Sequence, residues 1–431
     1  MLDISFIREN RTVVEAAIKN KGCEVNLDEV LKLDAGRREL GQKIDELRRE
    51  RNEIAGKMKG GKPEQELVDR GKQIKVELLG MEEDLAGIER DYLKLLKLVP
   101  NVPWPDVPVG LSEEENVVAE VVGEPTKFGF EPKNHYEIGV ARGWIDKERA
   151  AKVAGARFAY IKGEMVKLQL AIMNFVIDSL TDENVLGEIC EKFGVKASTK
   201  PFVPVLPPYM IRTELYDAMD RLEPREDRYK IEGDELWLEG SAEHVLGSMH
   251  ADETFAEGDL PVRYLGYATS FRQEAGTYGK DMEGIIRMHQ FDKLEMESFT
   301  TADDSFNEHL LFVAIQRWLV EKLELPYRVL QKCTFDIGKP DARGIDIETW
   351  LPGQGKYRET HTADFMTDYQ ARRLNTRVRR SEGLEFIHTN DATAFALGRI
   401  MIAIIENYQT VEMGVRVPEV LKKYLGEKEI L

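Results

Sequence analysis

The chain has 431 residues, with 78 Asp or Glu against 60 Lys or Arg, a formal net charge of −18, and 42% hydrophobic and 32% charged residues. That composition describes a soluble globular protein of about two to three domains, and its acidity argues against a protein that coats nucleic acid indiscriminately, since phosphates need local positive charge. No apolar run approaches the roughly 18 residues of a membrane span, the start MLDISFIRENR lacks a basic-then-apolar leader, and Cys23, Cys190 and Cys333 offer neither a disulfide framework nor a paired zinc motif, so a cytoplasmic protein without a membrane partner is expected.

From Asn26 to about Lys59 apolar residues recur at three- and four-residue steps, at Leu27, Val30, Leu31, Leu40, Ile44, Leu47, Ile54 and Met58. A second such run, from Pro63, passes through Leu67, Ile74, Leu78, Met81, Leu85, Ile88, Tyr92 and Leu95. Between them Lys59-Gly60-Gly61-Lys62-Pro63 stops one helix and starts the next. The spacing predicts an antiparallel helical coiled-coil arm over about 26–98, a rod of about 50 Å at ~1.5 Å per residue. Residues 37–62 carry nine Lys or Arg against five acids, a local balance of +4. Two readings fit that balance: a solvated coiled-coil face, or a grip on RNA phosphates through Arg37, Arg38, Lys43, Arg48, Arg49 and Arg51.

Prolines at 100, 103, 105 and 108 end the helical pattern and set a boundary between residues 1–106 and 107–431. Helices are expected near Glu148 to Tyr160 and from Gly163 to Asp182, amid short β-rich runs with no regular βαβ spacing and no early G-x-G-x-x-G. A mostly antiparallel sheet flanked by helices fits, hence an α+β class. The prolines of Pro201 to Ile211 confine that stretch to a sheet edge or an irregular strand. Ser241 and Glu243, two apart, supply a hydroxyl and a carboxylate that suit an ammonium; Ser241 equally suits the cap of a helix from His244 to Asp252.

Gly266 to Glu297 reads as a β-hairpin with a Gly-rich connection. Arg272 and Glu274, two apart on its first strand, share a face, and Phe271 and Gln273 point the other way. An arginine fork suits a phosphate and a carboxylate accepts from an amine, although an exposed ion pair is the common occurrence of that spacing. Strand-borne Glu359 suits Mg²⁺ or a ribose, and His361 beside it reads as a packing or hydrogen-bonding side chain. A strand from Phe386 runs into a helix from Ile400 to Tyr408, and Arg399 at the junction carries a planar, always charged group matched to terminal phosphates.

Arg272-x-Glu274, a loop with Gly276 and Gly279, Gly284-x-x-Arg287, and His289-Gln290-Phe291-x-Lys293-x-Glu295 together resemble the second signature motif of class II aminoacyl-tRNA synthetases. The ending is similar to that of the seryl-tRNA synthetases. Phe386 to Arg399 resembles the third class II motif, Pro201 to Ile211 with Pro208 the first, and Trp237 to Glu243 the family's Thr-x-Glu loop with Ser241 for threonine. Met1 to Asn10 and the helical arm resemble that family too. The resemblance implies a coiled-coil arm on a class II antiparallel-sheet catalytic domain, a homodimer, and ATP-dependent activation of L-serine followed by transfer to the 3′ end of tRNA(Ser), with tRNA(Sec) open as a second partner. It implies ATP and Mg²⁺, with Arg272 on the α-phosphate, Arg399 on the γ-phosphate and Glu359 on the metal as the catalytic set. Glu274 falls near the adenine amine and Phe291 against its ring, with Gln273, Thr360, His361 and Thr362 also at the nucleotide. Ser241, Ala242, Glu243, Arg272, Glu295, Thr362, Asp391 and Thr393 surround the serine. The chain departs from the family at Thr389-Asn390-Asp391-Ala392-Thr393, where Thr-Leu-Asn-Gly-Ser is usual, and at Thr360 to Asp364, where serines and cysteines are usual. Those departures leave open a paralogue that activates another small amino acid or loads a carrier protein. A third reading is a catalytically silent RNA-binding homologue.

Overall fold

The computed structural model describes residues 1–58, 64–275 and 284–431. The turn expected at 59–63 and the loop glycines Gly276 and Gly279 lie outside them. The chain divides into two compact units, Met1–Val102 and Pro103–Leu431.

In the first unit, two short helices, Ile4–Glu9 and Arg11–Asn20, precede α1 (Leu27–Lys57) and α2 (Gln65–Leu96). Asn26 starts α1 by accepting the Glu29 N–H on its side chain, satisfying one of the helix's orphan donors. The seam is one residue wide: Ile44, Ile54, Ile74 and Leu78 are buried, flanked by Leu40, Leu47, Met58, Leu67, Met81 and Leu85. Arg48 reaches Glu82 at 2.8 Å and Arg70 reaches Glu50 at 2.7 Å, pairings that run in opposite directions along the two helices and make the pair antiparallel.

The second unit is built on an eight-stranded sheet of β1 (Val117–Val122), β2 (Val203–Val205), β3 (Val262–Phe271), β4 (Gln290–Thr300), β5 (Tyr327–Gln331), β6 (Arg343–Leu351), β7 (Lys356–Thr367) and β8 (His388–Ala396). The order across the sheet is β1-β5-β6-β7-β8-β4-β3-β2. All neighbours pair antiparallel except β2 with β3. Pro204 within β2 is tolerated because β2 is an edge.

Strand alternation gives this sheet two unlike faces. Leu294, Met296, Ile345, Ile347, Ala363, Ala392 and Ala394 join one core with α3 (Glu164–Leu180), α5 (Ser305–Lys322) and α6 (Leu397–Asn407). Each fully buried Leu or Ile there contributes about 1.5–3 kcal/mol, so this face holds the fold. The intervening residues are polar and are also buried: Lys293, Glu295, Glu297, Asp346, Asp364, Asp391 and Thr393.

Two helices are shorter than the sequence suggests. The one expected to reach Tyr160 spans Lys147–Ala154 and stops at Gly155, whose φ of 96° no helix accommodates. The one expected to reach Asp252 is a single turn, α4, Glu243–Gly247. No helix among the described residues is long and apolar enough to cross a membrane.

Candidate active site

The β3–β4 hairpin aligns Phe271 with Gln290, and Arg272 continues the ladder through its N–H to the His289 carbonyl at 3.0 Å. The guanidinium of Arg272 is fixed by Nε on the Gly240 carbonyl at 2.8 Å and lies 5.3 Å from the centre of the Phe291 ring. Strand alternation does not carry on to Glu274, contrary to the expectation, because β3 ends at Phe271 and Glu274 has a φ of 53°. That left-handed turn directs its carboxylate to Arg287 Nη1 at 2.5 Å, and both side chains line the same cleft as Arg272. Gln273 belongs elsewhere: its N–H bonds the Asp227 carbonyl and its amide the Arg228 carbonyl, so it lines no part of the cleft.

Across the sheet, β7 carries a bulge. Glu359 faces Glu348 and His361 faces Ile347, so Thr360 has no partner residue. A bulge re-aims side chains, and here Glu359, Thr360 and Thr362 all reach the cleft. The His361 side chain does not. It is buried with Nδ1 on the Thr360 hydroxyl at 2.8 Å and its ring 5.2 Å from that of Phe395, and burial pushes its pKa down to about 3.

Arg399, in the first turn of α6, places Nη1 2.7 Å from Glu359 Oε1. Burial would raise the Glu359 pKa, but Arg399 and Lys332 outweigh it and hold it at about 2. Arg272, Arg287 and Arg399 thus converge with Glu274, Phe291 and Glu359 on one cleft. Three guanidinium groups with an aromatic face suit a purine carrying several phosphates.

A second, polar cavity shares Arg272, Arg287, Lys293, Glu359 and Thr362 with the first and continues past Glu243, Asp391 and Arg221. Ser241 donates to Glu243 and accepts from Lys293 Nζ at 2.9 Å, and it makes no capping bond, since α4 starts from Ala242 without a side-chain cap. Ala242 packs with Leu246 and Ala268, so its side chain lies apart from the cavity. Lys293 also contacts Glu295 and sits 3.6 Å from Glu243. Burial opposes the charge on Glu243, yet Lys293 and Arg221 hold its pKa well below the usual carboxylate range, whereas burial pushes Glu295 up to about 8. Thr393 is the cross-strand partner of Glu295. Asp391 pairs with Asp364 on β7 and Glu297 on β4, and Arg221 lies 3.7 Å from Asp391, 3.9 Å from Asp364 and 3.0 Å from Asp341. Burial and the charge of Glu243 push the Asp391 pKa well above the usual carboxylate range. The cup therefore combines a carboxylate favoured in its ionised form, neighbouring carboxyls that burial biases toward the neutral form, and hydroxyls at Ser241, Thr362 and Thr393, groups suited to a small zwitterion with a polar side chain.

Four residues of the site were not assigned from the sequence. Arg287 and Lys293 stand inside quoted motifs. Asp346 and Arg221 carry no local signal, since their roles depend on cross-strand register and on a loop fold. Asp346, beside Thr362 in that register, has a buried Oδ1 whose nearest cation, Lys332 Nζ, stands off at 3.9 Å. With Glu359 it gives two carboxylates on neighbouring strands, which fits a hard divalent cation completed by substrate phosphates. No group of three or more His, Cys, Asp or Glu able to hold a metal occurs among the described residues.

In the first unit, the six basic candidates divide. Arg37 is bound to buried Asp34, Lys43 to Glu39, and Arg48 to Glu82 and Asp45. Arg38, Arg49 and Arg51 are exposed and make no ion pair among the described residues.

Residues 1–103 match the family model described as the seryl-tRNA synthetase N-terminal domain, and residues 227–408 match the tRNA synthetase class II core domain (G, H, P, S and T). The chain is 38% identical to a serine–tRNA ligase of Thermodesulfovibrio yellowstonii over 99% of both chains, and 39% identical to one of Pyrococcus abyssi over 100% of this chain and 98% of that protein. The seryl-tRNA synthetase of Pyrococcus horikoshii complexed with ATP superposes with a TM-score of 0.89 at 38% identity, covering 100% of this chain and 99% of that one. The cytoplasmic serine–tRNA ligase of Naegleria fowleri in complex with AMP gives 0.86 at 27% identity, covering 100% and 98%.

Proposed function

Because the chain belongs to the seryl-tRNA synthetases, a family of serine–tRNA ligases, we propose that its cleft binds ATP, that the adjoining cup binds L-serine, and that the two meet at Arg272. The observation that carries this reading is the single connected space that joins Arg272, Lys293, Glu359 and Thr362 to Arg399 on one side and to Glu243 on the other.

Activation is an in-line attack of the serine carboxylate on the α-phosphate, with pyrophosphate leaving, so the protein mainly orients reactants and offsets charge. Arg272, held by the Gly240 carbonyl, binds the α-phosphate. Arg399 and Arg287 take the terminal phosphates, Phe291 supports the adenine and Glu274 accepts from its amine. Glu359 and Asp346 would hold Mg²⁺, which supplies charge neutralisation between phosphates. Glu243 and Ser241 take the ammonium of serine, and Glu295, Thr362 and Thr393 its hydroxyl. Polar contacts to that hydroxyl are needed, because alanine lacks only this group and shape cannot exclude something smaller. The terminal ribose hydroxyl of the tRNA then attacks the adenylate carbonyl, and AMP leaves.

Residues 1–106 form the tRNA-binding domain in this reading, with Arg38, Arg49 and Arg51 the arginines free to meet phosphates, and 107–431 the catalytic domain. A grip on phosphates that reads no bases admits tRNA(Sec) alongside tRNA(Ser). The enzyme acts in the cytoplasm as a homodimer in this reading, the dimer supported by exposed apolar residues at and just beyond edge strand β2, Val203 and Leu206. ATP–pyrophosphate exchange with each of the twenty amino acids tests the whole reading. Serine alone should support exchange; a stronger signal with threonine, alanine or glycine would overturn the assignment and favour a paralogue, a reading the Asp391 departure makes worth testing.

A further inference from the structure

His135 lies far from the signature motifs in sequence, yet it is 3% exposed and committed at both ring nitrogens. Its Nδ1 lies 2.8 Å from Glu406 Oε1, and its Nε2 accepts the Ile285 N–H at 3.2 Å. Because Nε2 faces a donor, the ring proton belongs on Nδ1, toward the carboxylate. Glu406 is itself pinned, accepting the His135 N–H on Oε1 at 3.0 Å and the Gly353 N–H on Oε2 at 2.9 Å.

Each end of this relay leads to the nucleotide cleft. Ile285 lines it and stands two residues before Arg287. Glu406 belongs to α6, whose first turn carries Arg399. The neighbouring Gly284 has a φ of 75°, and a Cβ there would fall 2.0 Å from His135 Nε2, so the chain approaches the imidazole as closely as glycine allows. The Gly284 carbonyl is held from the other side by Lys147 Nζ at 3.0 Å.

We propose that His135 is a positioning residue for ATP: through Glu406–His135–Ile285, helix α6 sets the place of Arg287 as well as of its own Arg399. One helix thereby fixes two of the three guanidinium groups around the phosphates, one directly and one through an imidazole. This rests on the nucleotide site proposed above and extends it to a residue outside the cleft lining. The residues proposed to hold serine, Ser241 to Glu243 and the polar face of the sheet, come from other segments, and Arg287 reaches the cup only where it adjoins the nucleotide cleft, so the effect falls on ATP.

The test is serine-dependent ATP–pyrophosphate exchange on the full-length enzyme. His135→Ala should raise KM for ATP about five- to tenfold, the loss of a buried hydrogen bond, with KM for serine at saturating ATP within about twofold of the parent. His135→Gln, whose amide oxygen reaches the Nε2 position, should restore the ATP KM. His135→Asn keeps only the Nδ1-like donor and should not restore it. Gly284→Ala reports on the same junction should His135→Ala fail to fold, and should show the same ATP-selective effect. An unchanged ATP KM in the Ala variants, equal rises in both KM values, or rescue by Asn as complete as by Gln would overturn the role of His135. A parent enzyme without serine-dependent exchange would instead overturn the nucleotide-site reading on which it rests.

Discussion

Arg399→Ala isolates the residue with the largest expected effect on chemistry and the smallest on the fold. The guanidinium bonds Glu359 twice, to Oε1 at 2.7 Å and to the carbonyl at 3.2 Å. Removing it deletes a charged donor aimed at the phosphates and strips Glu359 of its nearest cation. Losing one preorganised donor to developing charge costs about 2.7–4 kcal/mol of transition-state stabilisation, a fall of roughly 10²- to 10³-fold in kcat/KM for exchange. Stability should barely respond, because a partly exposed ion pair is worth at most about 1 kcal/mol, or some ~2–4 °C in a domain this large. Arg399→Lys separates charge from shape: it keeps the former, loses the planar fork, and should recover part of the rate. Exchange and thermal unfolding are measured on the same preparations. Exchange by a folded Arg399→Ala within about threefold of the parent would refute the phosphate role and, with it, the convergence of the arginines on one nucleotide.

Replacing Arg38, Arg49 and Arg51 together by alanine should lower kcat/KM for tRNA charging, flatten its salt dependence by about one unit for each phosphate left without its arginine, and leave pyrophosphate exchange untouched; equal charging by this variant contradicts an RNA role for the arm. Arg263, fully buried, pairs with Glu308 at 2.7 Å and donates to the Ser198 and Lys200 carbonyls. Arg263→Ala should therefore cost about 3–5 kcal/mol in urea unfolding, and a loss under about 1 kcal/mol is incompatible with that bonding. Burial and the charge of Asp341 push Asp364 up to about 7, well above the ordinary carboxylate range. The folded chain then keeps a proton that the unfolded chain releases between about pH 4 and 7, so this group lowers stability as pH rises through that window. Asp364→Asn should make the urea midpoint fall less between about pH 5 and 8; an identical slope in both proteins contradicts a proton on Asp364.

Features written in local spacing were legible. The arm announces itself through apolar residues at helical steps, and the buried seam at Ile44, Ile54, Ile74 and Leu78 uses those positions. The same holds for the hairpin and for Arg399 at the strand-to-helix junction. What escaped was set by register and by single backbone angles. One unpaired residue in β7 sends Glu359, Thr360 and Thr362 toward the cleft and His361 away from it, and no local pattern marks that bulge. Glu274 reaches the cleft through a left-handed turn instead of strand alternation. Asp346 and Arg221 meet their partners only once β6, β7 and β8 are aligned. On the arm the limit is simpler: composition records charges and not their partners, and three of the six basic candidates bond acids one turn away or on the opposite helix.

The two faces of the central sheet carry separate duties. Ala363 and Ala392 hold the scaffold closed, while Thr362, Asp364, Asp391 and Thr393, their immediate neighbours in the chain, look into the reaction space. A substitution at Thr362 or Thr393 should act on the proposed serine pocket before it acts on the fold, whereas one at Ala363 or Ala392 should act on packing first. Such a division would let amino-acid preference vary on an unchanged frame, although Asp391 and Asp364, which share Arg221, tie recognition and stability together on the site-facing side.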